Sequence, residues 1–287
     1  MTTPLAQVSE WAPLAAAGVV RRGMDQGPAV VASHGDTRRT FPWASVTKIL
    51  TAMSLWIATE EGTVGWDDPV GPPGATLADL VSHASGLAPD DDRRLAPPRT
   101  RRIYSNRGIE LAAAHLAERS GMSFPEYMTT GLLDPLGLDG VRLDGSPAHG
   151  ASGSLADLLA IGAELLEPTV VSRSTLIECT QVATPGLSGV LPGFGPQQHN
   201  DWGLGVEIRD HKEPHWTGHR NSPSTFGHFG QSGCFLWVDP RLGLALALLT
   251  GRGFGPWAEQ GWSEFSDDVI AEYRTPDYTT DGFEPPG

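Results

Sequence analysis

Cysteine is almost missing from this chain of 287 residues: only Cys179 and Cys234 are present, far apart and outside any metal-type spacing. That scarcity excludes a disulfide framework and a cysteine-based zinc site. Cys234 reads as a small buried residue on a strand. Basic residues are also short, 20 lysines and arginines against 34 aspartates and glutamates, for a net charge of −14. Phosphates are bound by clustered Lys and Arg, so neither nucleic acid nor an anionic membrane surface is expected as a partner. No run of about eighteen apolar residues occurs, which leaves no candidate membrane-spanning helix. The N-terminal MTTPLAQVSEWAPLAAAG has neither a basic n-region nor a sustained apolar h-region, so a cytoplasmic location is expected. A Gly-x-Ser-x-Gly nucleophile elbow is absent as well, which argues against an α/β-hydrolase.

With 39% hydrophobic residues the chain can bury a large core, as one big domain or two closely packed ones. Its most informative stretch is Ser45-Val46-Thr47-Lys48, followed by ILTAMSLWIATEEG. Val46, Ile49, Leu50, Met53, Trp56 and Ile57 recur at the helical period and Gly62 ends the run, so a helix with Ser45 in its first turn is expected. A lysine three residues after a serine shares its helix face one turn away, which makes Lys48 a candidate base for the Ser45 hydroxyl. The free amides and positive dipole end of that first turn would favour a developing oxyanion at the Ser45 N–H. A Ser-x-x-Lys pair alone is common. Here it has companions in chain order, Tyr104-Ser105-Asn106 and His228-Phe229-Gly230.

These motifs and their contexts resemble the serine β-lactamase and penicillin-binding-protein superfamily, in its class C-like branch of esterases, D-aminopeptidases and DD-peptidases. FPWASVTKILTAMSLWIATEEGTVGWDDPV is similar to the nucleophile helix and the turn after it, and ATLADLVSHASGL to the helix ending in His-x-Ser-Gly-Leu. YSNRGIELAAAHLAERSGMSFPEYMTTGLLDPLGL resembles the Tyr-x-Asn segment, and FGHFGQSGCFLWVDPRLGLALALLT the strand pair of the third motif. The resemblance implies Ser45 as nucleophile, Lys48 as its base partner, and Tyr104 as a carrier of protons to and from the leaving group. Asn106 would orient Lys48 and the substrate, His228 would stand at the position of a family lysine or histidine, and the N–H of Gln231, after Gly230, would be the second oxyanion donor. His83 and Ser85 are expected to hold the loop under the site.

Physically, Lys48 acts as a base only when neutral, so its pKa must fall from about 10.4, and Tyr104 needs a downward shift to accept a proton. The sequence departs from the family at Phe229, where a threonine usually stands. A phenyl ring cannot hydrogen-bond the carboxylate of a penicillin or a D-Ala terminus, which lowers β-lactamase and DD-carboxypeptidase activity against esterase or amide hydrolase activity. A cell-wall role would also need export.

Strand-like pieces Ala16 to Arg22 and Ala29 to Ser33, joined by a turn at residues 25–28, precede a stretch from 45 to about 165 read as mostly helical. Capping patterns at Thr76, Ser123 and Ser154, each with an acid three residues on, mark helix starts. WGLGVEIR, GCFLWVD and LGLALALLT read as strands, before a last helix from about Pro256 to Tyr273. The fold class expected is α+β: an antiparallel sheet made from both ends of the chain and flanked by helices, with an inserted helical domain, as in β-lactamases and transpeptidases. The expected division is 1–44 with 200–273 as the sheet domain, 45–199 as the mainly helical domain with the active-site loops, and 274–287 as a disordered tail.

Two clusters carry no such assignment. HKEPHWTGHR spaces His211, His215 and His219 by four, but Pro214 and Gly218 interrupt any helix that would align them; a flexible loop at the cleft entrance, with Trp216 against substrate, is expected instead of a metal site. PDDDRRLAPPRTRR reads as a solvated loop in which Asp90, Asp91 and Asp92 offset Arg93 and Arg94, the other reading being attraction of an anionic substrate. His115 is expected to have no chemical role. Taken together these features imply a serine hydrolase that forms an acyl-enzyme at Ser45, a carboxylesterase or amide hydrolase on a small substrate, with no metal or organic cofactor. The alternatives are a D-aminopeptidase or β-lactamase-like amidase, acyl transfer to an amine, and a non-catalytic binding module on the same fold.

Overall fold

The computed structural model describes residues 3–23 and 27–274. The strands are β1 (Ala15–Arg21), β2 (Ala29–His34), β3 (Phe41–Pro42), β4 (Arg142–Leu143), β5 (Ala151–Gly153), β6 (Gly189–Leu191), β7 (Gly195–Gln197), β8 (Glu207–Ile208), β9 (Phe226–Gly230), β10 (Cys234–Asp239) and β11 (Leu244–Thr250). The helices are α1 (Val8–Trp11), α2 (Thr47–Glu60), α3 (Leu77–Val81), α4 (Asn106–Ser120), α5 (Phe124–Met128), α6 (Leu155–Leu166), α7 (Arg173–Cys179) and α8 (Pro256–Tyr273).

Six strands form one sheet in the order β2-β1-β11-β10-β9-β8, antiparallel at each junction. Both ends of the chain build it, as the expected fold class requires. The central strands β10 and β11 are buried on both faces, so their side chains sort by alternation. Leu236, Val238, Ala245 and Ala247 enter a core shared with α2, α4 and α6. Phe235, Trp237, Leu246 and Leu248 face the other way, under Trp262 and Phe265 of α8. The sheet is a two-sided wall between helical layers.

α2 runs through the middle of the first core with every residue from Thr47 to Ala58 buried. A helix enclosed on all sides keeps polar residues only where they find partners. Thr47 Oγ1 donates to the Ala44 carbonyl at 2.6 Å, Thr51 Oγ1 to Pro147 at 2.6 Å and Ser54 Oγ to Leu50 at 2.9 Å. Reciprocal capping boxes open α3 at Thr76 and α6 at Ser154, and the Ser123 hydroxyl caps α5.

Several expectations need correction. Ser45 is not in the first turn of the α-helix but in a 3-10 turn, Ala44–Val46, that leads into it. The stretch from 45 to 165 is less helical than its periodicity suggests: residues 82–105 and 134–154 contain no helix, and β4 and β5 of the latter form a small antiparallel sheet with β3, which precedes the stretch. Of WGLGVEIR only Glu207–Ile208 is strand, because Trp202 turns back to bridge Glu207. The expected disordered tail lies outside the described residues from 275 onward, as does the first half of the turn at 25–28. No described helix is long and apolar enough to cross a membrane.

Candidate active site

Ala44, immediately before Ser45, has φ +44°, a left-handed conformation that side chains other than glycine rarely adopt. Neighbours on both sides hold the turn. The Trp43 N–H donates to the Ala151 carbonyl at 2.9 Å, and its indole Nε1 donates to Gly153 at 3.2 Å. A Cβ on Gly153 would lie 2.6 Å from the Trp43 ring, so glycine there is what lets the indole seat. On the other flank, a Cβ on Gly230 would lie 2.5 Å from the Trp43 carbonyl oxygen and 2.8 Å from Cys234 Sγ. The end of β9 thus meets the serine turn backbone to backbone, a close approach open only to glycine.

Lys48 projects from the first turn of α2 and is fully buried. Its Nζ is 2.7 Å from Asn106 Oδ1, 2.8 Å from the Ala148 carbonyl and 3.3 Å from Ser45 Oγ. Burial pushes its pKa down to about 7, with Asp90 and Glu110 pulling the other way. A neutral amine has two N–H groups and one lone pair. Asn106 Oδ1 and the Ala148 carbonyl oxygen can only accept, so both N–H groups are engaged there and the lone pair is left for Ser45.

Tyr104 sits at the end of the loop before α4, and its Oη donates to Ser45 Oγ at 2.8 Å. The downward shift expected for this phenol is overturned. Burial raises its pKa above 10, the Ser45 contact lowers it, and the Glu207 and Asp90 carboxylates add to the rise. Lys48 Nζ lies 4.7 Å from the ring centroid, against its face and not its hydroxyl. The two shifts run in opposite directions: burial favours the neutral amine of Lys48 and the protonated phenol of Tyr104.

Asn106 opens α4 beside the Ser105 cap and also donates from Nδ2 to Asp90 Oδ1 at 2.8 Å. The acidic loop before Tyr104 matches its solvated reading only in part: Arg93 binds Asp91, but Asp92 binds Arg107 of α4 and Arg102 is buried. His83 lies beneath Tyr104, its Nδ1 accepting from the Ser105 N–H at 3.1 Å. That is the supporting position expected of it, and Ser85 Oγ accepts from Leu87 N in the same loop. His115 binds Asp68 at 2.8 Å, away from Ser45.

His228 is buried on β9, with Nδ1 donating to the Phe229 carbonyl at 2.6 Å. Burial and the nearby Lys48 push its pKa down to about 3, so the ring is neutral with Nε2 unprotonated. The ring of Phe229, the next residue, packs among Phe194, Trp216, Phe254 and Trp262. A cavity of about 110 Å³ brings together Ser45, Tyr104, Asn106, His228, Phe229 and Gln231 with Leu191, Pro192, Trp202 and Glu207. None of these ten is a lysine or arginine.

Sequence reasoning did not single out Glu207 or Trp202. The Glu207 carboxylate is buried and receives Lys212 Nζ at 2.7 Å, His215 Nε2 at 2.9 Å and Trp216 Nε1 at 2.5 Å. Burial alone would raise its pKa; the Lys212 ammonium and His215 overcome this and hold it well below the carboxylate range. The expectation of a flexible entrance loop at 211–220 is thereby corrected: Lys212, His215 and Trp216 are buried, Trp216 lies within the second core away from solvent, and of the three histidines His211 and His219 are exposed. Its signal in the sequence was the mix of one lysine, histidines and a tryptophan downstream of a lone strand glutamate, which has no fixed spacing. Among the described residues no group of His, Cys, Asp and Glu is placed to hold a metal ion.

A family model described as Beta-lactamase matches residues 10–268. The crystal structure of a beta-lactamase from Mycobacterium bovis is similar with 49% sequence identity and a TM-score of 0.92, covering 95% of this chain and 100% of that one. EstCE1, described as a hydrolase with promiscuous acyltransferase activity, is similar in fold with a TM-score of 0.72 at 16% identity, over 93% of this chain and 96% of that one. Penicillin-binding protein 4* of Bacillus subtilis is 28% identical over 141 residues, 37% of this chain, and the match spans only 31% of that protein's length.

Proposed function

The chain belongs to the β-lactamase family of hydrolases, and on that premise we propose that it is a serine hydrolase that forms an acyl-enzyme at Ser45, acting on a small carboxylic ester or amide. The observation that carries the reading is the placement of Ser45 Oγ between two groups of opposite character. A fully buried Lys48 with a pKa near 7 lies at 3.3 Å, and a protonated Tyr104 lies at 2.8 Å. One can take a proton from the hydroxyl and the other can give one.

The steps follow from that polarity. Neutral Lys48 takes the Ser45 proton as Oγ attacks the substrate carbonyl carbon. The oxyanion would be held by the N–H groups of Ser45 and Gln231, a reading supported by the close approach of Gly230, at the end of β9, to Trp43 beside the serine turn. Collapse expels the leaving oxygen or nitrogen, which takes the Tyr104 proton, and the Lys48 ammonium, holding the former Ser45 proton, then reprotonates the Tyr104 oxygen so that both groups return to their starting state. Water then repeats the sequence on the acyl-enzyme with Lys48 and Tyr104 in the same roles. Asn106 and the Ala148 carbonyl keep the lysine lone pair aimed. Glu207, locked by Lys212 and His215, fixes the Trp202 and His228 wall of the cavity.

A second reading, hydrolysis of a β-lactam amide, is favoured by the 49% identity to a protein described as a beta-lactamase. Against it stand the neutral His228, the Phe229 ring in the position of a threonine, and a cavity with no lysine or arginine in its lining to meet a carboxylate. D-Aminopeptidase activity and acyl transfer use the same acyl-enzyme.

The test is covalent labelling with a fluorophosphonate, read by intact mass in wild type, Ser45→Ala and Lys48→Ala. Stoichiometric labelling is expected in wild type, none in Ser45→Ala and a strong slowing in Lys48→Ala. A folded wild type that stays unlabelled would favour a binding module on the same fold. Turnover of p-nitrophenyl acetate, a D-amino acid p-nitroanilide and nitrocefin then separates the substrate classes, with the ester expected to lead.

A further inference from the structure

The cavity at Ser45 is too small for a whole substrate. Its volume is about 110 Å³. A water molecule's share of the liquid is about 30 Å³, so the cavity takes on the order of four non-hydrogen atoms. Past Tyr104 and Pro192, which belong to both, opens a groove of about 790 Å³. That size lies within the roughly 300–1,000 Å³ usual for small-molecule sites. Arg101, Gln197 and Gln198 lie in its lining, and its apolar wall is made by Pro89, Ile103, Val190, Pro192 and Pro196 together with Tyr104.

The groove is built into the fold. Its outer bank is the β6–β7 hairpin, which is tied to the segment carrying Tyr104: the Arg102 N–H donates to Ser188 at 2.8 Å, and Arg102 bridges Gly189. A Cβ on Gly189 would lie 2.7 Å from the Arg102 carbonyl oxygen, so the two segments touch backbone to backbone. The Arg102 side chain is buried and holds the carbonyls of Ser82, Ala183, Thr184 and Asn200. On this fixed bank Val190 is 61% exposed, the most exposed large apolar side chain among the described residues. An aliphatic side chain turned outward beside a pocket is what an apolar ligand would cover.

We propose that this groove binds the leaving group of the substrate, so that the enzyme prefers esters joining a short acyl group to a bulky apolar alcohol. The proposal rests on the serine-hydrolase reading above. Its direction comes from Tyr104. Tyr104 Oη is the donor beside Ser45 Oγ, so the leaving oxygen must lie against it, and Tyr104 is also the wall shared with the groove. The alcohol body therefore continues into the groove, and the acyl chain is confined to the small cavity bounded by Leu191, Trp202 and Phe229. In the first half-reaction the serine Oγ–acyl bond forms, the acyl–oxygen bond of the ester breaks, and the alcohol leaves with the Tyr104 proton. No further reactant is needed.

The test compares 2-naphthyl acetate with phenyl acetate, and p-nitrophenyl acetate with the octanoate, in wild type, Val190→Asp and Val190→Ser. The expected kcat/KM for naphthyl acetate is about tenfold or more above that for phenyl acetate, a ratio that falls toward unity in Val190→Asp because the larger naphthyl group loses more contact than the phenyl group. The octanoate is expected to be at least about tenfold poorer than the acetate, because its chain exceeds the cavity. Val190→Ser, which keeps the site neutral, should give an intermediate ratio. Equal rates for the two aryl acetates, or preference for the long acyl chain, in an enzyme that labels at Ser45 would overturn the groove assignment and leave the serine reading standing. Titration of folded Ser45→Ala with 2-naphthol reads the groove without chemistry. Saturable binding that weakens about tenfold in Ser45→Ala/Val190→Asp is expected, and no binding would overturn the assignment even if no ester were turned over.

Discussion

Replacing Asp90 by asparagine changes one charge near the candidate base and almost nothing else. Asp90 Oδ1 accepts from Asn106 Nδ2 at 2.8 Å, and Asn106 Oδ1 accepts from Lys48 Nζ at 2.7 Å, so the carboxylate acts on the lysine through one amide. An introduced side-chain amide oxygen can keep the same acceptor position. The carboxylate raises the Lys48 pKa against the larger effect of burial, which sets it at about 7. Two charges separated by roughly 7 Å interact by an amount worth between about 0.4 and 1.7 pH units as the effective dielectric constant goes from 80 to 20. Asp90 is exposed, so solvent and salt screen it and the lower half of that range applies, about half a unit to one unit. Loss of the carboxylate removes a stabiliser of the ammonium, so the pKa falls. The acid limb of kcat/KM for phenyl acetate, expected near pH 7 in wild type, should move down by that amount in Asp90→Asn. At pH 6 the variant should be about three to five times faster than wild type, with equal rates at pH 9. No descending limb from Tyr104 is expected below pH 10, because its phenol is held above its ordinary value. A limb that stayed in place or moved upward in a folded variant would refute Lys48 as the group controlling the rate.

Lys48→Met tests the same pKa through stability. The native pKa is depressed to about 7 from 10.5, so between those values the unfolded chain binds a proton that the native state does not. Lys48 thus makes wild-type stability rise with pH by up to roughly 1.4 kcal/mol per pH unit across that window, and it is least favourable below pH 7. The stability difference between Lys48→Met and wild type, taken from urea midpoints at pH 6.5, 8 and 9.5, should therefore shift in favour of wild type as pH rises; a difference independent of pH would mean an unperturbed lysine. Gly230→Ala places a methyl group 2.5 Å from the Trp43 carbonyl oxygen and must push the serine turn away from β9. Expected are a loss of about 1–3 kcal/mol in unfolding free energy and a fall of around a hundredfold in kcat, and a fully active variant would show that the two segments need not touch.

Local order decides much of this protein, and local order is legible in sequence. The three-residue step from Ser45 to Lys48 puts both on one face whether the serine occupies an α or a 3-10 turn, so their meeting survived the misplacement of the helix start. The capping boxes at Thr76 and Ser154 are closed within four residues, and the alternation in β10 and β11 announces strands buried on two faces. The His211–His219 segment shows the opposite case. Pro214 and Gly218 correctly exclude a regular helix, but nothing local tells that Lys212, His215 and Trp216 would be drawn inward by one carboxylate on β8. Strand β5 in the non-helical stretch 134–154 was obscured for a related reason: it gains stability from a partner distant in sequence, as Phe41 pairs with Gly153.

The sequence by itself determined the antiparallel sheet made from both ends of the chain, the family resemblance, and the grouping of Ser45, Lys48, Tyr104, Asn106 and His228. Composition, periodicity and the order of motifs are properties of the chain read along its length. Tertiary structure alone decided which of Lys48 and Tyr104 loses its proton, how Glu207 is compensated, and that a small cavity at Ser45 opens past Tyr104 into a larger groove. Those depend on how completely water is excluded and on which charges and walls arrive from elsewhere, and both are set only when distant segments pack.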